Sequence, residues 1–107
     1  MTIIELGEKL GLTLLNDVND RDVESCYISD LLSRVLGGAQ SGDIWITVQS
    51  SINMVAVAMM TDVSCVILPE GLTAPDNVID KANEEGLTIF SSEETAYSLA
   101  VKISRLG

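Results

Sequence analysis

The fold class is indicated by residues 44–68, in which two short β-prone runs enclose an uncharged segment. Residues 44–48 read Ile-Trp-Ile-Thr-Val, residues 52–60 read Ile-Asn-Met-Val-Ala-Val-Ala-Met-Met, and residues 64–68 read Ser-Cys-Val-Ile-Leu. The outer runs are largely apolar or β-branched, as strands covered on both faces of a sheet are, and the middle run is long enough for a helix. This stretch therefore predicts a strand–helix–strand unit with a parallel pair of strands.

The same order continues towards the C-terminus. Pro75 and Gly86 bracket a predicted helix, a strand follows at 87–90, and a last helix is predicted to open with a capping box at Ser91 and Glu94. Three strand–helix units joined by short links predict a mostly parallel sheet with right-handed crossovers.

The first forty residues add four predicted elements: a helix over 3–10, strands at 12–15 and 23–28, and a short helix over 31–36. Thr2 and Glu5 have the spacing of a capping box, and Ser29 or Asp30 is placed to cap the short helix. The sequence thus predicts a single α/β domain over residues 1–107, with about five strands and helices on both faces of the sheet.

Composition excludes several classes of function. Six Lys and Arg against sixteen Asp and Glu give a net charge of −10, which is unsuited to binding nucleic acid through a basic face. There is no histidine, so the usual general base, the Ser–His–Asp arrangement and the commonest metal ligand are missing. The glycine-rich residues 37–43 lack the lysine of a phosphate-binding P-loop and precede a strand. We therefore expect no enzyme activity and no cofactor.

Cysteine usage and hydropathy set further expectations. Cys26 and Cys65 lie in apolar surroundings without a CxxC spacing, which predicts two buried free thiols and no metal site. The most apolar run, residues 52–60, is too short to span a bilayer, and no signal peptide is visible at the N-terminus. A cytoplasmic protein without a membrane partner is the expectation.

Polar residues are predicted to gather where the strands end. In an open α/β sheet, ligands bind outside the carboxyl ends of the strands, at a switch point of the strand order. The candidates for a ligand site there are Asp30, Gln49, Ser50, Ser51 and Asn53. Serines at helix N-termini either bind anions through backbone N–H groups or merely cap the helix, and both readings stay open.

The uncharged helix over 52–60 is apolar on almost every side, which implies burial on more than one side. Either a second subunit covers it or the N-terminal segment of the same chain does. The residues predicted for an interface between subunits are Ile52, Val55, Ala56, Val57 and Met59.

The sequence resembles the DRTGG domain family over nearly its whole length. The resemblance lies in residues 28–37, 41–49, 53–58 and 91–99, together with Glu70-Gly71 and the Ala-Asn-Glu-Glu-Gly run at 82–86. It implies a fold like the N-terminal domain of HPr kinase/phosphorylase and an accessory role, pairing with itself or with neighbouring domains, as in fusions to CBS-domain pyrophosphatases. Free-standing members of similar length, some encoded near iron-only hydrogenase genes, look like regulatory or scaffolding proteins.

One departure from the family limits what the resemblance implies. The pentapeptide that names the family is missing, and the loop at its place reads Gln-Ser-Ser-Ile-Asn at 49–53. Ligand contacts made by that pentapeptide are therefore not carried over, and the kinase activity belongs to a separate P-loop domain. Two hypotheses follow: a non-catalytic regulatory module acting as a homodimer, associated with hydrogenase or other anaerobic redox metabolism, or an adenine-nucleotide sensor. Docking to a basic partner, such as a redox enzyme subunit, is a further alternative that the acidic charge permits.

Overall fold

The structure, a computed structural model, describes residues 1–106 and contains five helices and five strands in that range. In chain order these are α1 Ile3–Leu10, β1 Thr13–Leu14, β2 Ser25–Ile28, α2 Leu32–Gly38, β3 Asp43–Ile46, α3 Ile52–Thr61, β4 Cys65–Leu68, α4 Asp76–Glu85, β5 Thr88–Ser91 and α5 Ala96–Ser104. The strands form one sheet in the order β1-β5-β4-β3-β2, in which β2 to β5 are parallel and β1 is antiparallel to β5. The predicted α/β class and mostly parallel five-stranded sheet are confirmed.

The helices cover both faces of the sheet. Helices α2, α3 and α4 connect β2 to β5 in steps that all move across the sheet in one direction, and right-handed crossovers then place all three on the same face. Helices α1 and α5 cover the opposite face. Because the order of the parallel strands never reverses, they form no switch point, and the expectation of a ligand crevice at one is wrong in that respect.

Two hydrophobic clusters fill the spaces between sheet and helices. On the face of α2, α3 and α4, the fully buried Trp45 and Leu68 pack with Met54 of α3. On the other face, Ile46 and Ile67 of the sheet pack with helix residues that share one side of α1 and α5; these are Ile3, Leu6, Leu10 and Leu99. Alternation along β3 and β4 sends successive side chains to opposite clusters, which is why residues 44–46 and 65–68 are all apolar.

One of the two predicted capping boxes is confirmed. Thr2 and Glu5 form the capping box of α1. The predicted capping box at Ser91 and Glu94 is wrong, because Ser91 is the last residue of β5 and its hydroxyl donates to the carbonyl of Leu72. Helix α5 begins later, and the Thr95 hydroxyl accepts from the N–H of Ser98 at 3.1 Å.

The predicted cap of α2 by Ser29 or Asp30 is also wrong. Leu31 occupies the cap position without a side-chain hydrogen bond, since the carboxylate of Asp30 is directed to the end of β3. Among residues 1–106, no helix has the length and apolar character needed to cross a membrane.

Candidate functional site

Asp30 joins the carboxyl ends of β2 and β3. Its Oδ1 accepts from the hydroxyl of Thr47 at 3.0 Å and from the N–H of Val48 at 2.8 Å. The side-chain amide of Gln49 donates to the carbonyl of Asp30 at 2.8 Å, and the backbone N–H of Gln49 donates to the Thr47 hydroxyl at 3.1 Å. The structure thus brings Asp30 and Gln49 together. Because they bond each other and the end of β3, their hydrogen bonds mainly stabilise the loops that follow β2 and β3.

The other three predicted ligand residues surround the start of α3. Ser51 occupies the predicted cap position of α3, but its side chain makes no hydrogen bond to the helix. No side-chain hydrogen bond within residues 1–106 involves Ser50, Ser51 or Asn53. Ser50 is half-buried, and Ser51 and Asn53 are exposed. The hydroxyl and amide groups at this helix start are therefore accessible to a bound molecule.

The carboxyl ends of β4 and β5 are closed by their own loops. The N–H of Gly71 donates to the carbonyl of Ser92 at 2.7 Å, and the N–H of Glu70 donates to that of Glu94 at 2.9 Å. Both Glu70 and Gly71 adopt positive φ, at 59° and 72°, which forms the turn that makes this pairing possible. These two hydrogen bonds hold the turn after β4 against the segment after β5.

Two apolar grooves lie away from the strand ends. One, of about 670 Å³, runs between β2 and the second half of α5. The other, of about 380 Å³, lies between α1 and the β1 side of the sheet. Neither is lined by the predicted ligand residues, and no cluster of three or more potential metal-ligating side chains occurs within residues 1–106.

Helix α3 presents an apolar surface stripe, defined here as Ile52, Ala56 and Met59. Ile52 and Met59 are 40% and 38% exposed, and Ala56 lies exposed between them on the same side of the helix. Two of the predicted interface residues are corrected: Val55 and Val57 are buried in the core beneath α3. Met60, which is 73% exposed, lies beside the stripe and was not among the predicted residues.

The alternative prediction, that the N-terminal segment covers α3, is wrong. Helix α1 packs on the opposite face of the sheet, and α3 is flanked by α2 and α4 instead. Nothing within residues 1–106 therefore covers the α3 stripe, and its role as a contact between subunits stays a prediction.

The two cysteines differ in accessibility. Cys65 is fully buried, whereas Cys26 is half-buried and lines the larger groove, which corrects the prediction of two buried thiols. Burial raises the pKa of the Cys65 thiol to about 12, while burial and, to a lesser degree, the charge of Asp43 raise the pKa of Cys26 to about 11. Cys26 of β2 and Cys65 of β4 both lie in register with Ile44 of β3, the strand between them. Their Cα atoms are therefore about two strand spacings apart, which is too far for a disulfide.

Sequence reasoning missed the larger groove altogether. Its walls come from β2 and from α5, which are separated by some seventy residues in the chain. One sequence feature could have drawn attention to this side of the sheet. The run Ser25–Ile28 carries no charge, whereas edge strands commonly carry charged residues that prevent pairing.

Comparisons with known proteins agree with this architecture. The chain matches the family model of the DRTGG domain over residues 5–106. A search of curated proteins finds no match. Among solved structures, it is similar to the CBS and DRTGG domains of the regulatory region of a Clostridium perfringens pyrophosphatase, crystallised with the activator diadenosine tetraphosphate. The TM-score is 0.73 at 15% sequence identity, over 94% of this chain and 45% of that chain.

That likeness is one of fold, and this chain spans less than half of the chain it matches. The resemblance noted in the sequence is confirmed by the family match, which covers all five helices and strands apart from the first residues of α1. The chain belongs to the DRTGG domain family.

Proposed function

We propose that this chain is a non-catalytic regulatory module that acts through protein contacts, as a homodimer. The observation that carries the proposal is the α3 stripe of Ile52, Ala56 and Met59, which is apolar and exposed on a helix without charged residues. Family membership supports the regulatory part, since the DRTGG domain of the similar structure belongs to a regulatory region.

The neighbouring helix shows how unusual this stripe is for the chain. Helix α4 packs on the same face of the sheet and carries five charged residues among its ten: Asp76, Asp80, Lys81, Glu84 and Glu85. Helix α3, also ten residues long, carries none. Covering a large apolar side chain fully contributes about 1.5–3 kcal/mol, and the small Ala56 at the centre allows another surface to approach closely. A second copy of the same stripe supplies the same apolar surface.

The test places one charge in the stripe. Ala56→Glu is expected to convert a homodimer into a monomer without unfolding it, because a carboxylate buried between two apolar surfaces has no partner. The molar mass is measured by sedimentation equilibrium over a range of concentrations. Asn77→Glu adds the same charge to an exposed position of α4 and should leave the mass unchanged. A monomeric wild type, or an Ala56→Glu variant with the wild-type mass, would contradict the proposal.

A second candidate function is a sensor of adenine nucleotides, with the ligand across Asp30, Gln49, Ser50, Ser51 and Asn53. The uncapped start of α3 and its free hydroxyls support this site. The similar pyrophosphatase regulatory region was crystallised with diadenosine tetraphosphate, which supports the ligand class. The absence of Lys and Arg from these five positions weighs against tight phosphate binding, so contacts would come from backbone N–H groups and hydroxyls.

Equilibrium dialysis with labelled ATP, AMP and diadenosine tetraphosphate tests the sensor. Ser51→Ala with Asn53→Ala should weaken binding, while Thr73→Ala, at an exposed position near the end of β4, should not. Absence of binding at millimolar nucleotide would reject this candidate.

The proposed partner outside the chain is a redox enzyme subunit in a cytoplasmic setting, as the resemblance to members encoded near hydrogenase genes suggests. The net charge of −10 favours a basic surface on that subunit. Binding of purified hydrogenase subunits should then weaken steeply as salt is raised from low to physiological concentration, and salt-independent or absent binding would count against this partner.

A further inference from the structure

Within residues 1–106, no strand of the sheet covers the outer side of β2. β2 is the last strand in the sheet order and pairs with β3 on one side. The N–H of Thr47 donates to Ile67 and the carbonyl of Asp43 accepts from Ser64, so alternate residues of β3 face β4, and Ile44 and Ile46 face β2. Cys26 lies in register with Ile44, and Ile28 with Ile46. In a parallel pair, the residues of β2 that bond β3 are then the ones next to Cys26 and Ile28, and the N–H and C=O groups of Cys26 and Ile28 themselves point outwards.

The larger groove continues this edge on the α5 face of the sheet. Its walls include Cys26 and Ile28 of β2 and Ile103 and Leu106 beyond them. Ile28 is 47% exposed. A strand added beside β2 would point every second side chain to this face of the sheet, and apolar side chains there would cover the groove.

Acidic residues stand at both ends of the edge. Asp22 and Glu24 precede β2 and Asp30 follows it, and all three are exposed, while Ser25–Ile28 itself carries no charge. The edge therefore combines uncharged main-chain hydrogen-bonding groups at its centre with negative charge at its ends. Its complement is an extended segment with a few alternating apolar side chains between basic residues.

We propose that the β2 edge binds such a segment of a partner protein as a sixth strand of the sheet. Just before β2, the N-terminus of the chain already pairs with this edge through its main chain. Thr2 lies opposite Asp22 in an antiparallel bridge, and the N–H of Val23 donates to the carbonyl of Met1. The four residues of β2 beyond that bridge are where the partner adds.

Charge decides against a second copy of this chain as the occupant. Antiparallel pairing that engages both outward residues sets Cys26 opposite Ile28 of the other copy. The same register sets Glu24 opposite Asp30 at each end, and like charges directly opposite each other destabilise a strand pair. This edge is thus distinct from the α3 stripe, and the inference does not depend on the homodimer.

The probe is the synthetic peptide acetyl-Lys-Val-Ser-Val-Ser-Val-Lys-amide, titrated into the full chain after removal of any tag, because both Met1 and Leu106 border the groove. Amide hydrogen exchange followed by NMR is the readout. Exchange at Cys26 and Ile28 should slow by tenfold or more at saturation. Exchange should change little at Tyr27, which pairs with β3, and at Glu24, whose N–H already donates to the carbonyl of Gly42. Peptides with Glu in place of both Lys, or with N-methylated alternate amides, should not protect these positions.

Variants of the chain separate charge from fold. Glu24→Lys is expected to weaken peptide binding about threefold to tenfold, since it reverses one exposed charge at the edge. Asp80→Lys, an equal change on exposed α4, should leave affinity unchanged, as should Ala56→Glu in the α3 stripe.

Three results would overturn the proposal: no binding at several millimolar peptide, protection located elsewhere, or equal binding of the acidic peptide. Protection of Cys26 and Ile28 that grows with protein concentration alone would assign the edge to self-pairing instead and overturn the proposed occupant.

Discussion

At the scale of single residues, Asp62 connects three separate parts of the chain. It ends α3 in the left-handed conformation, with φ of 59°, and its carboxylate accepts from Arg21 at 2.9 Å and from the hydroxyl of Ser41. The hydrogen bonds from Arg21 and then Ser41 hold the pKa of Asp62 below its usual range. One exposed carboxylate thus ties the segment before β2 and the turn before β3 to the end of α3.

Asp62→Asn is expected to lower the free energy of unfolding at neutral pH by up to about 1 kcal/mol, the range for exposed ion pairs. Asn tolerates the left-handed conformation, so the loss reports the charge. Because the folded pKa lies below the unfolded value near 3.8, the contribution of Asp62 is present above that pH and is lost as pH falls through the folded pKa. Urea titrations at pH 7 and pH 3 measure this. A difference between wild type and variant that widens at pH 3 would contradict it.

The two thiols should differ in their reaction with a disulfide reagent at pH 8. A pKa of about 11 leaves Cys26 roughly one part in a thousand as thiolate, so it should react slowly, and faster by about tenfold per pH unit. Cys65 is buried and should react only when the protein unfolds. Stopped-flow absorbance on wild type and Cys26→Ser distinguishes the two phases. A fast phase that survives in Cys26→Ser would show that Cys65 is accessible.

At the scale of elements, α2 ends in two glycines with opposite surroundings. A side chain at Gly38 would come within 2.7 Å of Cζ of Tyr27, whose hydroxyl donates to the carbonyl of Arg34. A side chain at Gly37 would meet no atom within 4 Å. The close approach of α2 to β2 therefore depends on the second glycine alone.

Gly38→Ala is expected to cost about 1–3 kcal/mol of stability through overpacking, whereas Gly37→Ala should stabilise by about 0.5–1 kcal/mol through helix propensity. Tyr27→Phe removes the atom nearest to the new methyl group and should reduce the cost of Gly38→Ala. Chemical denaturation of wild type, Gly38→Ala, Tyr27→Phe and the double variant closes this cycle, with Gly37→Ala measured beside it. Equal effects of the two alanines would mean that α2 can shift away from β2 without loss.

At the scale of the whole molecule, dimerisation and ligand binding predict different shifts of the thermal midpoint. A ligand at about 100 times its Kd adds about 2.7 kcal/mol, and each kcal/mol moves the midpoint of a domain of this size by about 4–8 °C. Scans at two protein concentrations, with and without nucleotides, separate the two proposed functions. A rise with protein concentration supports the homodimer, and a rise with one nucleotide supports the sensor. A midpoint insensitive to both would contradict the homodimer and the sensor together.

The candidate sites show where sequence periodicity stops being informative. The apolar run correctly predicts α3, which carries no charge. An almost uniformly apolar helix has no pattern that marks its inner side, so the sequence wrongly predicts the buried Val55 and Val57 at an interface between subunits. Asp30 and Gln49 were placed together because both follow strands that are parallel neighbours. That they bond each other, rather than standing free, depends on side-chain distances that no spacing encodes.

The sequence by itself determined the α/β class, the parallel strands, the capping box at Thr2 and Glu5 and the family, because these depend on local periodicity and on residues close in the chain. The tertiary structure alone decided that α1 lies across the sheet from α3, that Cys26 borders a groove, and that β2 forms an open edge. The physical reason is that burial and edge position follow from which elements pack side by side, and those contacts join residues far apart in the chain.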